Sequence, residues 1–323
     1  MNPAPFPTTP PADISVTEPI SRAIEHVKQT LFRPFDIGKW FTLGFCAWLA
    51  GLGESGGGFN FRVPGGGHGR SSGGGTPREE LERAWGYLVN NLDWLLPLIG
   101  FFVVLGIAVG ITFIWINSRG KFMFLHCLAL DKAEVAEPWR QYAAEGNSLF
   151  LFRLVLGVIS SVICLPVLAV MAMIIVGMVR REEVSMEGIL ICLGLVMAFV
   201  GLITIFAIIQ KLTTDFVVPI MYLRRSRCLA AWQELRGLLT VNAGRFVVYI
   251  LFQIVITMVI GTMIVIVVLL TCCIAGCLLA IPYLGTVLLL PVLVFQRSYS
   301  LHYFRQYGPA YDVFAPLPAS PSQ

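Results

Sequence analysis

Residues 229–271, LAAWQELRGLLTVNAGRFVVYILFQIVITMVIGTMIVIVVLLT, hold in one stretch the two signals that decide the fold. The first part is amphipathic at helical spacing: Leu229, Trp232, Leu235 and Leu239 form one stripe, with Gln233, Glu234 and Arg236 opposite. From Phe246 to Thr271 the chain carries no charged side chain. That run is long enough for the roughly 20 apolar residues a helix needs to cross the hydrocarbon core. A short charged amphipathic helix joined to such a run is the pattern of a segment lying in the membrane interface beside a span.

Working outward, the same unit occurs twice more. Ile20, Ile24, Val27 and Leu31 form a stripe opposite Arg22, Glu25, Lys28 and Gln29, and Val135, Trp139 and Tyr142 form another opposite Glu137, Arg140, Gln141 and Glu145. The ends of the apolar hairpins also match: Asn117-Ser118-Arg119-Gly120-Lys121-Phe122, Lys211 to Pro219, and Gln296-Arg297-Ser298-Tyr299. The period predicts three helix-plus-hairpin repeats, over about 20–131, 132–226 and 227–307. Apolar sequence runs on past the first two ends, so those helices are expected to project beyond the bilayer or bend, with Pro219 the natural bend.

Six stretches qualify as spans: 37–53, 93–117, 149–179, 187–212, 246–271 and 275–296. The fold class expected is therefore all-α, a polytopic transmembrane helix bundle with interfacial amphipathic helices. The last boundary is open to a five-span or re-entrant reading, because only Thr271-Cys272-Cys273, Gly276 and Pro282 interrupt Phe246 to Phe295. Six spans place Lys121, Arg224, Arg225, Arg297 and most other cations on the side of both termini, against Arg62, Arg70, Arg78, Arg83, Arg180 and Arg181 opposite. Positive residues stay inside, so both termini are expected to be cytoplasmic.

Composition agrees. Of 323 residues, 56% are hydrophobic and 13% charged, and the mean hydropathy is +0.77; a soluble chain carries about twice that charge. Residues 1–19 are Pro-rich and polar, expected to be disordered and to lack a signal peptide, so the first span would direct targeting. The tail 308–323 is expected to be disordered as well. The first hairpin is opened by a Gly-rich loop, 51–77, after which Thr76, Pro77 and Glu79 signal a helix start. That helix carries the stripe Leu81, Trp85, Leu88 and Leu92.

No stretch carries a catalytic constellation. The Gly-rich loop lacks G-x-x-x-x-G-K-[ST], and the helix behind it begins with Glu79, Glu80 and Glu82, which would repel phosphate. His26, His68, His126 and His302 are scattered without ligand spacing. Glu182, Glu183 and Glu187 beside Arg180 and Arg181 read as a solvated turn. Basic residues form no cluster on a soluble domain, so no nucleic-acid partner is expected. Catalytic, cofactor and metal sites are all expected to be absent. Cys46, Cys164 and Cys192 read as small hydrophobes. Cys272, Cys273 and Cys277 lie at a hairpin tip, where a disulfide or a soft-metal site stays open.

Polar groups in hydrocarbon are costly and so become functional candidates: Arg153, Lys211, Asp215 and Gln253. Lys211 and Asp215, four apart, can pair with each other, and Arg153 can snorkel; the alternative is an ion pathway. Gly106 with Gly110 and Gly157 with Ser161 give spacings that let helices approach closely. Trp85, Trp139 and Trp232 are the expected interfacial anchors.

Ala231-Trp232 on an amphipathic helix, Asn242 before a span and Asp215-Phe216-Val217-Val218-Pro219-Ile220-Met221 at the end of the previous one are similar to a broad group of uncharacterised bacterial membrane proteins. That group includes the membrane domain attached to some glycerophosphoryl diester phosphodiesterases. The likeness covers most of 17–307 and implies the membrane module of a bacterial inner membrane; the catalytic barrel of those fusions is not expected here, so their enzyme activity is not implied. The function expected is a non-enzymatic scaffold or accessory module engaging membrane lipids, a membrane partner or a second copy of itself. The alternative is a transporter or channel for a small or lipidic solute.

Overall fold

The computed structural model describes residues 14–52, 86, 92–181, 186–271 and 274–315. Every regular element among them is helical. The helices are α1 (Glu18–Phe32), α2 (Ile37–Gly51), α3 (Leu92–Leu130), α4 (Ala136–Gln141), α5 (Ala143–Arg181), α6 (Met186–Leu212), α7 (Val218–Arg224), α8 (Cys228–Leu270), α9 (Ile274–Ala280), α10 (Pro282–Leu288) and α11 (Leu290–Arg305). A π-helical turn, Thr213–Val217, joins α6 to α7, and a 3-10 turn, Pro309–Tyr311, follows α11.

Four stretches are long and apolar enough to cross a membrane: Leu96–Leu130, Ala143–Met178, Met186–Arg224 and Cys228–Leu270. The shortest has 35 residues, well beyond the roughly 20 that hydrocarbon requires. The other two expected spans are not single long helices. Helix α2 has 15 residues, about 22 Å of rise, and the stretch 275–296 is divided among α9, α10 and α11. Proline explains the division. Ile281, before Pro282, is extended with φ −77° and ψ 113°, as the residue preceding a proline prefers, and Pro291 starts α11, where its missing N–H costs nothing.

The chain forms two compact units. The second, 62–114 with 153–210, contains residues 92–114 of α3, 153–181 of α5 and 186–210 of α6; large side chains such as Phe101, Val104, Val162, Leu165 and Met197 are exposed on it. The first unit, 1–61, 115–152 and 211–323, carries the core. There Phe216 is ringed by Phe246, Tyr249, Tyr303 and Phe304 at centroid distances of 5.1, 5.0, 6.3 and 5.3 Å. A second stack joins Phe122, Tyr142 and Tyr222, with the Arg225 guanidinium 3.9 Å from the Tyr142 ring centre.

The amphipathic stripes feed this core. On α1, Ala23, Val27 and Leu31 are buried and the helix packs along α11, while Ile24 stays exposed. Tyr142 of the second stripe and Leu235 of the third are also buried. Each amphipathic segment ends at a backbone break: residues 33–36 between α1 and α2, Tyr142 between α4 and α5, and Asn242 inside α8, with φ −127° and ψ 30°. The Arg245 guanidinium donates to the Asn242 side-chain oxygen at 3.1 Å and secures that last break.

The segment before α1 is bonded to α11 and the residue after it: Ser15 N–H donates to the Gln306 side-chain oxygen at 2.8 Å, and Tyr299 O–H donates to the Val16 carbonyl at 2.9 Å. Residues 308–315 likewise fold back, burying Tyr311 and Val313, with Asp312 paired to Arg305 at 2.9 Å. Among the described residues a Cβ on Gly106, Gly110 or Gly157 would meet nothing within 4 Å, so the small-residue spacing there brings no described helix close. Close approach is made instead by Gly120, where α3 crosses the end of α2. The Gly-rich loop from 53 onward, its following helix start, Trp85, Cys272 and Cys273 lie outside the described residues.

Candidate functional site

Proline at 219 shapes the polar centre of the first unit. In the π-helical turn the Val218 N–H bonds to the Thr213 carbonyl, a step of five residues. The next bond in that register would run from residue 219 to the Thr214 carbonyl, and proline has no N–H to make it. The Arg297 guanidinium of α11 donates to that carbonyl instead, at 2.6 Å. A part-buried backbone acceptor is thus satisfied by a side chain from elsewhere in the fold. π-Helical turns of this kind are frequent at functional sites.

The turn also aims Asp215 inward. Its carboxylate accepts from the Tyr249 hydroxyl of α8 at 2.9 Å and pairs with the Lys211 ammonium at 3.1 Å. The two charges differ in setting: the Lys211 side chain is 40% exposed and that of Asp215 is 6% exposed. From α3 the buried Lys121 donates to the Thr214 hydroxyl at 2.5 Å. Gln253 is buried one turn beyond Tyr249 on α8, and its side-chain oxygen has no hydrogen-bond partner among the described residues. Asn117, one turn before Lys121, donates to the Ala50 carbonyl.

Of the residues singled out by sequence, Lys211, Asp215 and Gln253 therefore lie in this first unit. Arg153 belongs to the second, where it is buried and donates to the Gln210 side-chain oxygen at 3.2 Å. Trp139 makes an edge-on contact with Trp115 at 5.8 Å, and the Arg119 guanidinium lies 4.7 and 5.1 Å from the two ring centres. Trp232 packs on Phe152 at 5.9 Å, with its indole N–H buried and without a partner among the described residues.

Lys121, Thr214, Tyr249 and Arg297 were not anticipated as members of a site. The signal was present: the matched hairpin ends contain Lys121, Thr214 with Asp215, and Arg297, and these are the segments that meet. Lys121 and Arg297, which the sequence placed only among the cations on the side of both termini, are buried. Among the described residues no group of three or more His, Cys, Asp and Glu side chains could hold a metal ion.

A second buried polar group lies between α1 and α11. His302 is 8% exposed and neither ring nitrogen has a partner among the described residues. Its ring stacks on Phe314 at 4.7 Å and meets His26 edge-on at 6.0 Å. Burial, then the nearby His26, Arg305 and Arg22, hold its pKa down at about 4, and burial lowers His26 as well. Because the folded pKa lies below the usual 6.5, the stability from neutral His302 is complete above pH 6.5 and is lost as pH falls toward 4. The upper limit of that loss is about 3 kcal/mol. Melting curves across this window should show a falling midpoint that His302→Phe flattens; an equal acid slope in the variant would remove His302 as the cause.

These features define an all-helical, membrane-embedded protein with a buried polar centre around Asp215. The chain belongs to a family of unknown function, DUF7544, whose model matches residues 14–302. No curated protein and no solved structure matches it.

Proposed function

We propose that this chain is a non-enzymatic membrane module, a scaffold or accessory subunit that engages lipids or a membrane partner. The observation that carries this reading is a division of labour in the structure. The polar groups around Asp215 are turned toward one another inside a packed aromatic core, while the long helices present apolar side chains outward. A molecule arranged so is suited to making contacts in the membrane. We place it in a bacterial inner membrane with both termini cytoplasmic, on the strength of the cation distribution and the family likeness noted above. The three-repeat, six-span organisation belongs to the same proposal. It is supported by the three amphipathic segments that end at breaks and by the meeting of the three hairpin ends around Thr214.

The test is extraction from the native membrane into lipid nanodiscs, followed by mass spectrometry of what co-purifies. Enrichment of one lipid class or one membrane protein is expected; bulk lipid composition and no partner would overturn the reading. Transport is the second reading, favoured by a buried carboxylate on a π-helical turn and by the unpartnered Gln253 oxygen. Proteoliposome flux abolished by Asp215→Asn would favour it; flux unchanged by that substitution would remove Asp215 from any pathway.

A further inference from the structure

The corner between α1 and α2 carries apolar surface that the core does not use. Over residues 32–41 the sequence is FRPFDIGKWF, and Phe32, Phe35, Ile37 and Phe41 are 49, 59, 61 and 43% exposed. The inward side of α1 is already filled, because Ala23, Val27 and Leu31 are buried along α11. These four side chains are therefore not the ragged edge of that contact.

The corner is also held in shape. The Trp40 indole N–H donates to the Leu31 carbonyl at 2.8 Å, and the rings of Phe32 and Phe35 each pack against Trp40 at 5.7 Å. Asp36 caps α2 by accepting from the Gly38 N–H at 2.8 Å. Aromatic side chains fixed in advance lose little freedom on binding. Lys28, one helical turn before Phe32, and Arg33 are both exposed, and no carboxylate pairs with either among the described residues.

We infer that this corner inserts into the interfacial layer of an anionic bilayer, with Phe32, Phe35, Ile37 and Phe41 among the acyl chains and Lys28 and Arg33 on the headgroups. The apolar set runs into α2, an apolar helix whose first turns hold Ile37 and Phe41, so insertion continues a surface that already leads toward lipid. Phe and Trp at the acyl boundary beside Lys and Arg at the headgroups is the arrangement that holds peripheral segments in the interface. Each basic residue near an anionic surface strengthens binding about fivefold, which is why the proposal names an anionic bilayer and not lipid in general. This inference rests on the reading of the chain as a lipid-engaging membrane module.

The test uses the full chain in vesicles of phosphatidylcholine mixed with phosphatidylglycerol, with the photo-crosslinking residue p-benzoylphenylalanine in place of Phe35, or of the exposed Ser21 on α1 as a control. After irradiation, mass spectrometry should find lipid adducts several-fold more abundant from position 35 than from position 21. The yield at 35 should fall several-fold when phosphatidylglycerol is omitted. Adducts to protein alone, no adduct, or equal yields at the two positions would overturn insertion, and an equal yield without phosphatidylglycerol would overturn the anionic requirement. An alkaline wash separates the two readings: a chain washed off the vesicles overturns both, whereas a retained chain without lipid adducts overturns only the corner.

Discussion

Replacing Gly120 with alanine should cost about 3 kcal/mol, and replacing it with leucine should prevent the first unit from assembling. A Cβ at position 120 would lie 2.6 Å from the Leu49 carbonyl carbon and 2.7 Å from the Ala50 backbone nitrogen. Overpacking a filled contact costs about 1–3 kcal/mol, and the upper end applies because helical backbone atoms cannot rotate away as a side-chain tip can. The strain would also fall on the neighbouring bond from Asn117 to the Ala50 carbonyl, one turn away on the same face of α3. The contrast is Gly146, where an added Cβ would meet the Arg119 Cγ at 2.8 Å; that flexible chain can shift, so Gly146→Ala should lower the melting midpoint far less. Thermal unfolding followed in detergent checks both. Equal midpoints for Gly120→Ala and the unaltered protein would mean that α2 does not cross α3 there.

Asp215→Ala should be the most damaging polar substitution, at about 3 kcal/mol or more, because removing one partner of a buried charged group leaves the others without compensation. The Tyr249 hydroxyl would be stranded in the core, and the turn would lose the group that draws Lys211 and Tyr249 together. Tyr249→Phe removes the bond from the other side and should cost about 1.5 kcal/mol, the lower range for a hydrogen bond to a charged group. Lys211→Met should cost less than either, since the Lys211 side chain is 40% exposed and water screens it. The order Asp215→Ala, Tyr249→Phe, Lys211→Met in denaturation midpoints is the measurement. A larger loss for Lys211→Met than for Asp215→Ala would show that the ion pair, not the buried carboxylate, organises the turn.

Much of the helical framework was legible in residues 229–271 and their relatives, because a 3.6-residue stripe and an uncharged apolar run each leave a strong local signal. The pairing of Lys211 with Asp215 was legible for the same reason, since four residues along a helix place them side by side. What escaped was whatever depends on distant chain. Lys121 and Arg297 were read only as cations on the side of both termini, because their hydroxyl and carbonyl partners at Thr214 lie 93 and 83 residues away. Gly106 and Gly110 had the spacing of a close crossing, but spacing says that a helix can be approached and not that another helix arrives. The amphipathic stripe of α1 suited a membrane surface, and α11 took most of it.

By itself, then, the sequence determined the helical class, the long apolar stretches and the pair on one helix face. All of these arise from backbone and side-chain properties within a few turns. Tertiary structure alone decided which charges are buried, that Arg297 completes the bond Pro219 cannot make, and that Gly120 has no room for a Cβ where α3 crosses α2. The physical reason is that a buried polar group or a tight crossing is defined by its partner, and these partners come from segments far apart in the chain.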